Sequence, residues 1–437
     1  MSRTTNKSRF WLALVIFGLT GQIAWVVENM YFNVFIYKMF HASASQISAM
    51  VSASAVAATL TTVLVGALSD KIGRRKVFIC VGYILWGLSI AAFALVRVDV
   101  LSGLFPMATA AAVGVTITII LDCAMTFFGS SANDACFNAW LTDSTDHTNR
   151  GAAEGINAMM PLVAILAVFG GFMGFDLDKA SSWTTIFLII GGAVIAIGVI
   201  GLFLIQDTAT KIPENSRYFA NIIYGFRPSV MRQNKVLYAT LIAFAVFGIS
   251  IQIFMPYLIL YYQVSLQMDN YVLIMAPAII VASVATAFYG RLYDRVGFAR
   301  SAVPALCLLL AGYGVLYFTK STAPVFIGSL LMMTGYLAGM AVFGAMLRDH
   351  TPENKAGMFQ GLRIVGQVLI PGIIGPVIGS AVLKNADLYL NDDGTTSFIP
   401  NVNIFLAAAV VAVLVFVALI PILKLKKGES NRGNADS

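Results

Sequence analysis

The chain of 437 residues is 59% hydrophobic and only 11% charged, and its mean hydropathy is +0.83. Soluble proteins average about 45–50% apolar and about 25% charged residues. This composition excludes a disordered chain, a disulfide scaffold and a nucleic-acid-binding domain, and it leaves a polytopic membrane protein. The net charge of +7 must then be interpreted by its location along the chain.

Twelve apolar segments follow one another, each near or above the roughly 20 residues that a membrane-spanning helix needs. We predict an all-α polytopic membrane protein with segments at roughly 10–37, 46–69, 77–96, 112–141, 153–175, 184–205, 237–263, 270–290, 301–319, 324–347, 357–383 and 402–423. The stretch 96–116 is apolar but contains Asp99, Gly103 and Pro106. It predicts extended helix ends or a partly embedded loop.

The longest polar connection follows the sixth segment and divides the chain into halves. We predict an N-terminal six-helix bundle at 1–206, a cytoplasmic linker at 207–236, a C-terminal six-helix bundle at 237–424 and a cytoplasmic tail at 425–437. Apolar residues recur at helical spacing within the linker, namely Tyr218, Phe219, Ile222, Ile223 and Phe226. They predict an amphipathic helix on the inner membrane surface, and a solvated linker is the alternative.

The basic residues indicate which side of the membrane each loop occupies. With the N-terminus inside, 23 of the 28 Lys and Arg residues fall on the inner face. Short loops rich in Lys and Arg stay in the cytoplasm. We therefore predict a multi-pass protein of the plasma (inner) membrane with both termini cytoplasmic.

Two inner loops repeat in the second half of the chain. The matching stretches are Gly66-Ala-Leu-Ser-Asp70-Lys-Ile-Gly73 with Gly290-Arg-Leu-Tyr-Asp294-Arg295-Val-Gly297, and Asp143…Gly151…Glu154-Gly155 with Asp349…Gly357…Gln360-Gly361. Two parallel six-helix halves are one of the repeat architectures of secondary transporters. A chance match is the alternative, but both loops match in order and in internal spacing.

The run Gly66-Ala-Leu-Ser-Asp70-Lys-Ile-Gly73-Arg74-Arg75-Lys76 resembles, residue for residue, the signature of the major facilitator superfamily between its second and third helices. The resemblance implies a twelve-helix transporter that works by alternating access, with a cavity lined by helices 1, 4, 7 and 10. We expect charged residues near the inner face to form its gate: Asp70, Arg74, Arg75, Asp143, Arg150, Asp294, Arg295, Asp349 and Arg363. For Arg363, snorkelling to the cytoplasm or binding an anion are the alternatives.

Within this superfamily the fourth segment is similar to glycoside–cation symporters and plant sucrose carriers. The similarity rests on its acids, on the Ala132-Asn133 step and on Asp143 ahead of Arg150. The paired acids that the bacterial melibiose carrier has on its second helix are absent, since 48–65 contains no charge. The resemblance suggests a symporter of a sugar or glycoside.

Three acids, Glu28, Asp122 and Asp134, lie inside apolar segments, where a charge is expensive and marks a functional site. Counted from the inner helix ends, Glu28 and Asp122 lie about 28 and about 31 Å along their helices, so we expect their carboxyls at similar depth. Two such carboxyls would share a proton or hold Na⁺. At 100° per residue Asn133 shares a face of the fourth helix with Asp122. Asp134 lies about 120° around the helix from that face, so we expect it to face a neighbouring helix. All three acids are candidates for cation coupling; structural acids satisfied by nearby Asn, Ser or Thr are the alternative.

Aromatic rings and side-chain amides suit a polyhydroxylated ring such as a sugar. The candidates for substrate contacts are Gln22, Trp25, Asn29, Asn133, Gln252, Tyr257, Tyr261, Tyr336 and Gln367. Packing or interfacial belts are the alternative for each aromatic residue. In the repeat Gln252 corresponds to Glu28. Because a glutamine amide does not ionise, the ionisable groups are concentrated in the N-terminal half.

The sequence has no P-loop, dinucleotide Gly fingerprint, GxSxG or HExxH motif, so we expect no enzymatic activity and no metal site. The expected partners are a small-molecule substrate, a coupling ion (H⁺ or Na⁺) in place of any cofactor, and membrane lipid, with no nucleic acid and a monomeric chain. The predicted function is cation-coupled symport of a sugar or glycoside. The alternative is a proton-coupled exporter of drugs or amphipathic lipids, and a receptor that does not transport is a third class.

Overall fold

The computed structural model describes residues 7–145, 149–207, 224–351, 356–391 and 394–433. Within these ranges twelve helices are long and apolar enough to cross a membrane, which confirms the predicted number of spans. In chain order α1 to α12 are Ser8–Phe40, Ala44–Ser69, Arg75–Leu95, Thr109–Asp143, Gly155–Phe172, Ala180–Leu204, Lys235–Ser265, Val272–Val296, Phe298–Phe318, Thr322–Asp349, Gly361–Val382 and Asn403–Leu425.

The ends of α2 show how local sequence sets the length of a helix. Ser43 caps its start, because the Ser43 hydroxyl accepts from the Gln46 N–H at 3.3 Å while Gln46 Oε1 accepts from the Ser43 N–H at 2.8 Å. The helical backbone continues past the apolar stretch to Ile72 and ends at Gly73. The φ of Gly73 is +69°, a left-handed conformation that favours glycine. The repeated loop motif therefore includes the C-cap of α2.

The chain divides into two compact units, Met1–Tyr218 with Leu390–Ser397, and Phe219–Tyr389 with Phe398–Ser437. In the first unit α1 packs on α5 and α6, α2 packs on α4, and α3 packs on α4 and α6. In the second unit α7 packs on α11 and α12, α8 packs on α10, and α9 packs on α10 and α12. The same five pairings thus occur in both units, which confirms an all-α fold of two six-helix halves.

Glycines allow some of these helices to approach closely. A Cβ on Gly87 of α3 would lie 2.6 Å from the carbonyl oxygen of Gly191 on α6. In the second unit a Cβ on Gly312 of α9 would lie 2.3 Å from the backbone nitrogen of Met332 on α10. Small residues at helix contacts are typical of packing within membranes.

The connections outside the spans differ in part from the predictions. Between α3 and α4 a separate short helix, Val98–Leu101, replaces extended helix ends, and Leu104 after it is 76% exposed. The predicted linker helix falls at 218–223 on residues outside the described part of the chain. After it come a 3₁₀ turn at Tyr224–Phe226 and a short helix at Pro228–Gln233.

Two three-residue strands, β1 (Leu388–Leu390) and β2 (Thr396–Phe398), pair before α12. The all-α prediction does not include this hairpin. The sequence carries one signal for it, because Gly394 lies between the two strands and glycine is typical of hairpin loops. The Gly394 N–H donates to the Asn391 carbonyl oxygen, and the φ of Gly394 is +79°, a conformation that favours glycine.

Four spans contain a π-helical segment: Val27–Tyr31 in α1, Ser130–Phe137 in α4, Tyr261–Ser265 in α7 and Val365–Leu369 in α11. A π-helix has more residues per turn than an α-helix, so it displaces side chains from positions counted at 100° per residue. Such segments are frequent at functional sites. Each of the four holds a residue selected from the sequence, and these are Glu28, Asn29, Asn133, Asp134, Tyr261 and Gln367.

Candidate functional site

Glu28 is held inside the first unit by two hydroxyl groups. It lies in the π-helical segment of α1 and is only 7% exposed. Ser54 of α2 and Thr126 of α4 each donate a hydrogen bond to Glu28 Oε1 at 2.7 Å, and the two hydroxyl oxygens are 2.8 Å apart. Glu28 Oε2 has no hydrogen-bond partner among the described residues. One carboxyl oxygen is therefore anchored, and the other can bind a proton or a cation.

Asp122 lies beside Glu28, as the count of depth along the two helices predicts. It precedes Thr126 by one turn of α4 and is 2% exposed. Its carboxyl lies close enough to Glu28 for the two acids to interact electrostatically. Asp122 Oδ1 makes no hydrogen bond to any residue in the described part of the chain, and no Lys or Arg there interacts with either carboxyl. The two acids therefore form a buried pair without a basic partner.

Asp134 belongs to the same neighbourhood. Ser130 donates a hydrogen bond to Asp134 Oδ2 at 3.0 Å, and the Asp134 carboxyl also interacts with Glu28. The Trp25 indole of α1 lies close to Asp134, although its N–H makes no hydrogen bond of regular geometry with a described residue. The structure thus brings together all three predicted coupling acids.

Asn133 packs differently from the prediction. Its amide is buried and donates a hydrogen bond to the Tyr83 hydroxyl of α3 at 2.6 Å. Counting 100° per residue predicts that Asn133 shares a helix face with Asp122 and that Asp134 points elsewhere. In the structure, however, it is Asp134 that interacts with Glu28. The π-helical segment explains the difference, because its wider turns invalidate the count beyond residue 130.

The remaining candidates in α1 surround Glu28 with polar and aromatic groups. Gln22 and Trp25 are half-buried, and Asn29 is exposed. The Trp25 ring packs against Trp86 with 5.0 Å between centroids, and Asn29 Nδ2 donates to the Trp25 carbonyl oxygen at 2.7 Å. An aromatic face, an indole N–H and two amides therefore lie within six residues of the buried acid.

In the second unit the predicted substrate residues lie in α7, α10 and α11. Tyr257 and Tyr261 are buried, whereas Gln252, Tyr336 and Gln367 are half-buried. The Tyr261 hydroxyl has no hydrogen-bond partner within the described ranges. None of these five side chains is a carboxylate, so the acids of the candidate site all belong to the first unit.

Arg75, at the start of α3, and Asp143, at the end of α4, form an ion pair. Arg75 Nε lies 2.5 Å from Asp143 Oδ2, and Arg75 Nη1 donates to Ser69 Oγ at 3.1 Å. This pair ties the repeated loop to the end of α4. Arg74, the preceding gating candidate, is exposed. The side chains of two more, Asp70 and Arg150, lie outside the described part of the chain.

The second unit makes the corresponding contact without an arginine. The Tyr293 hydroxyl donates a hydrogen bond to Asp349 Oδ2. In the repeat these residues correspond to Ser69 and Asp143, which Arg75 bridges in the first unit. The side chain of Tyr293 is longer than that of Ser69, so it contacts the aspartate directly and no arginine is needed between them. The gating candidates Asp294 and Arg295 are exposed.

Arg363 lies half-buried on α11. It interacts electrostatically with Arg348, and its Nε has no hydrogen-bond partner among the residues described here for the second unit. The expected ion pair with an acid of the gate is therefore not formed within that part of the chain.

Ser54 and Thr126 are site residues that the sequence alone does not single out. Both occur in helices with several other Ser and Thr residues, so local pattern does not distinguish them. Their contact with Glu28 arises from the packing of α1, α2 and α4. The spacing does offer one signal, because Thr126 lies four residues after Asp122 on the same helix face. In the described ranges no cluster of three or more His, Cys, Asp and Glu residues could hold a metal ion.

The comparisons with known proteins agree with this architecture. The family model of the Major Facilitator Superfamily matches residues 10–363 and 273–436. No curated protein matches the chain by sequence.

Solved structures of transporters share the fold. A bacterial homolog of the human lysosomal transporter Spinster is 15% identical with a TM-score of 0.68, and the similarity covers 97% of each chain. The nucleoside transporter NupG is 13% identical with a TM-score of 0.69, covering 96% of this chain and 99% of the other. The xylose transporter XylE from E. coli is 13% identical with a TM-score of 0.66, covering 94% and 98%. At such low identity the similarity shows the fold alone.

Proposed function

Since this chain belongs to the Major Facilitator Superfamily and is therefore a multi-pass membrane transporter, we propose that it is a proton- or sodium-coupled symporter of a sugar or glycoside. It works by alternating access as a monomer in the plasma (inner) membrane. The excess of Lys and Arg in the inner loops supports cytoplasmic termini.

The Glu28–Asp122 pair carries the proposal of cation coupling. A charge within the hydrocarbon region is expensive, and two like charges side by side repel each other. Neither carboxyl has a basic partner in the described part of the chain. A bound proton or Na⁺ therefore stabilises the pair, and release of that ion on the other side of the membrane leaves an unfavourable charge. This difference between the loaded and empty states is what couples an ion gradient to transport.

Unpaired polar groups on aromatic side chains support a sugar as the substrate. The Trp25 indole N–H and the Tyr261 hydroxyl are both buried, and neither has a regular hydrogen-bond partner among the described residues of its unit. Each polar group can bind a sugar hydroxyl within its own unit. Two of the structural neighbours are named as xylose and nucleoside transporters, so this fold accommodates sugar-containing substrates.

One observation favours the alternative, an exporter of amphipathic compounds. A recess of about 360 Å³ between α2 and α4 is lined by apolar and small side chains, among them Leu60, Leu64, Cys123 and Phe127. A hydrophobic compound could bind in this recess through apolar contacts alone.

Uptake by the purified protein in liposomes tests the proposal. A panel of labelled glycosides and cationic amphipathic dyes is supplied with an inward proton gradient, an inward Na⁺ gradient or neither. The proposal predicts that a glycoside accumulates above its external concentration with one of the two gradients. Accumulation that neither gradient changes contradicts cation coupling, and gradient-driven expulsion of dyes alone supports the exporter.

A further inference from the structure

Three oxygens from three helices of the first unit lie within hydrogen-bond distance of one another. Glu28 Oε1 of α1, Ser54 Oγ of α2 and Thr126 Oγ1 of α4 form a triangle with sides of 2.7, 2.7 and 2.8 Å. Glu28 and Thr126 are both buried. Each side of the triangle has the length of an O–H···O hydrogen bond, and each such bond requires one hydrogen. The triangle therefore requires three hydrogens.

The two hydroxyl groups supply only two of these hydrogens. When the carboxylate is charged, Ser54 and Thr126 both donate to it, and no hydrogen is left between the two hydroxyl oxygens. A proton on Glu28 Oε1 supplies the third hydrogen. The carboxyl group then donates to one hydroxyl, that hydroxyl donates to the other, and the second hydroxyl donates back to Oε1. The protonated acid thus accounts for the contact between Ser54 and Thr126 as well as for their contacts with Glu28.

We propose that Glu28 Oε1 takes up the coupling proton and that Ser54 and Thr126 close a hydrogen-bond ring with it. This inference rests on the proposed cation coupling and identifies the ion as H⁺. Uptake forms one O–H bond at Oε1, and release returns that proton to water. Na⁺ does not produce the same contacts, because oxygens that bind a hard cation turn their lone pairs toward it and leave no hydrogen between one another. Loss of the proton leaves the Ser54–Thr126 contact without a hydrogen, which links proton release to the packing of α2 on α4.

The titratable groups near the hydrogen-bond ring belong mainly to α4. Asp122, Cys123 and Asp134 interact electrostatically with Glu28. Tyr83 of α3 interacts with Asp134, whereas the spans α2, α5 and α6 contain no titratable residue. All of these groups are retained in the variants that test the ring. A change in the titration of Glu28 among those variants therefore reports on the two hydroxyls.

Infrared titration of the purified full-length protein tests the proposal without a substrate. The C=O band of protonated Glu28 is assigned from the Glu28→Gln variant. Its midpoint is then measured in the wild type, in Ser54→Ala, in Thr126→Val and in the double variant. With the ring, each single change removes two hydrogen bonds from the protonated acid and one from the carboxylate, whereas the double change removes three and two.

The midpoint in the double variant should therefore lie above the sum of the two single shifts. The excess equals one neutral hydrogen bond, or about 0.7 pH unit. Two hydroxyls that donate independently to Glu28 give no excess, so single shifts that add up to the double shift would overturn the ring. Ser54→Cys, a weak donor of similar size, takes the place of Ser54→Ala in the cycle if that variant does not fold.

Two matched controls repeat the cycle with one change replaced. Thr126→Ser keeps the hydroxyl, so its combination with Ser54→Ala should give no excess. Ser52→Ala removes a hydroxyl of α2 that makes no hydrogen bond to a described residue, so its combination with Thr126→Val should give none either. An excess of the same size in either control would overturn the assignment of the ring to Ser54 and Thr126.

The same titration distinguishes H⁺ from Na⁺. The wild-type midpoint is measured at constant ionic strength with Na⁺ exchanged for choline. We expect the same midpoint in both salts, because the ring holds a proton. A midpoint that falls as Na⁺ rises would show that Na⁺ displaces the proton, which would overturn this inference and leave cation coupling intact. A Glu28 band that does not titrate in either salt would instead contradict the proposed cation coupling itself.

Discussion

Breaking the Arg75–Asp143 ion pair tests whether the connection between α2 and α3 is held to the end of α4 as the structure indicates. In Asp143→Asn the Arg75 guanidinium keeps its hydrogen bond to Ser69 but loses its ion pair with Asp143. Arg75 is nearly enclosed, with 10% of its side chain exposed, so water compensates little for the loss of this ion pair.

The expected loss of stability lies between two limits. Removing one partner of a fully buried pair typically costs about 3–5 kcal/mol, whereas exposed pairs contribute about 0.2–1 kcal/mol. The Asp143 side chain is 32% exposed, which places this pair between them. We therefore expect Asp143→Asn to lower the free energy of unfolding by about 2 kcal/mol.

A double-mutant cycle in detergent solution measures this interaction. The free energy of unfolding is determined for Asp143→Asn, for Arg75→Met and for the double variant. Arg74→Met is the matched control, because this neighbouring arginine is exposed and its loss should change stability by less than about 0.5 kcal/mol. If the losses of free energy in the two single variants add up to the loss in the double variant, the interaction energy is zero. That result would refute the ion pair as a stabilising contact.

Three further predictions concern other parts of the fold. Tyr293→Phe removes the hydrogen bond to the Asp349 carboxylate and should lower the free energy of unfolding by about 1.5 kcal/mol; an unchanged value would contradict the repeated inner contact. Gly312→Ala places a methyl group 2.3 Å from a backbone nitrogen of α10 and should lower the free energy of unfolding by about 2 kcal/mol. An unchanged free energy of unfolding would show that α9 and α10 lie further apart. The Arg97 guanidinium, hydrogen-bonded to the exposed Asp99 carboxylate, holds the pKa of Asp99 below its usual value. The contribution of this pair is therefore present above a pH of about 4 and is lost as the pH falls further, and Asp99→Asn at neutral pH should cost less than about 0.5 kcal/mol in thermal unfolding.

Hydrophobicity and charge predict most of the architecture. Twelve apolar stretches give twelve spans because a helix must satisfy its own backbone within a membrane. The depth of Glu28 and Asp122 also follows from the sequence, since the rise per residue of a helix is nearly constant. Their proximity in the structure agrees with that count.

The details of the site depend on contacts between helices that are distant in the chain. Ser54 is not distinguishable from Ser52 by pattern, and only the packing of α2 against α1 places its hydroxyl on Glu28. The rotation of Asp134 could not be predicted because a π-helical segment has no simple sequence signature. The β1–β2 hairpin is different, since a glycine in the loop between the strands, Gly394, is a local signal for its turn.

Ion movement with and without the carboxyl pair tests the central proposal most directly. Liposomes containing the protein and dyes sensitive to H⁺ and to Na⁺ receive the glycoside that accumulates best in the uptake panel. We predict that the wild-type protein carries one of these two ions into the lumen together with the glycoside, and that Glu28→Gln and Asp122→Asn do not, although both still exchange labelled for unlabelled glycoside. Entry of the ion through both variants at the wild-type rate would contradict a coupling role for the pair.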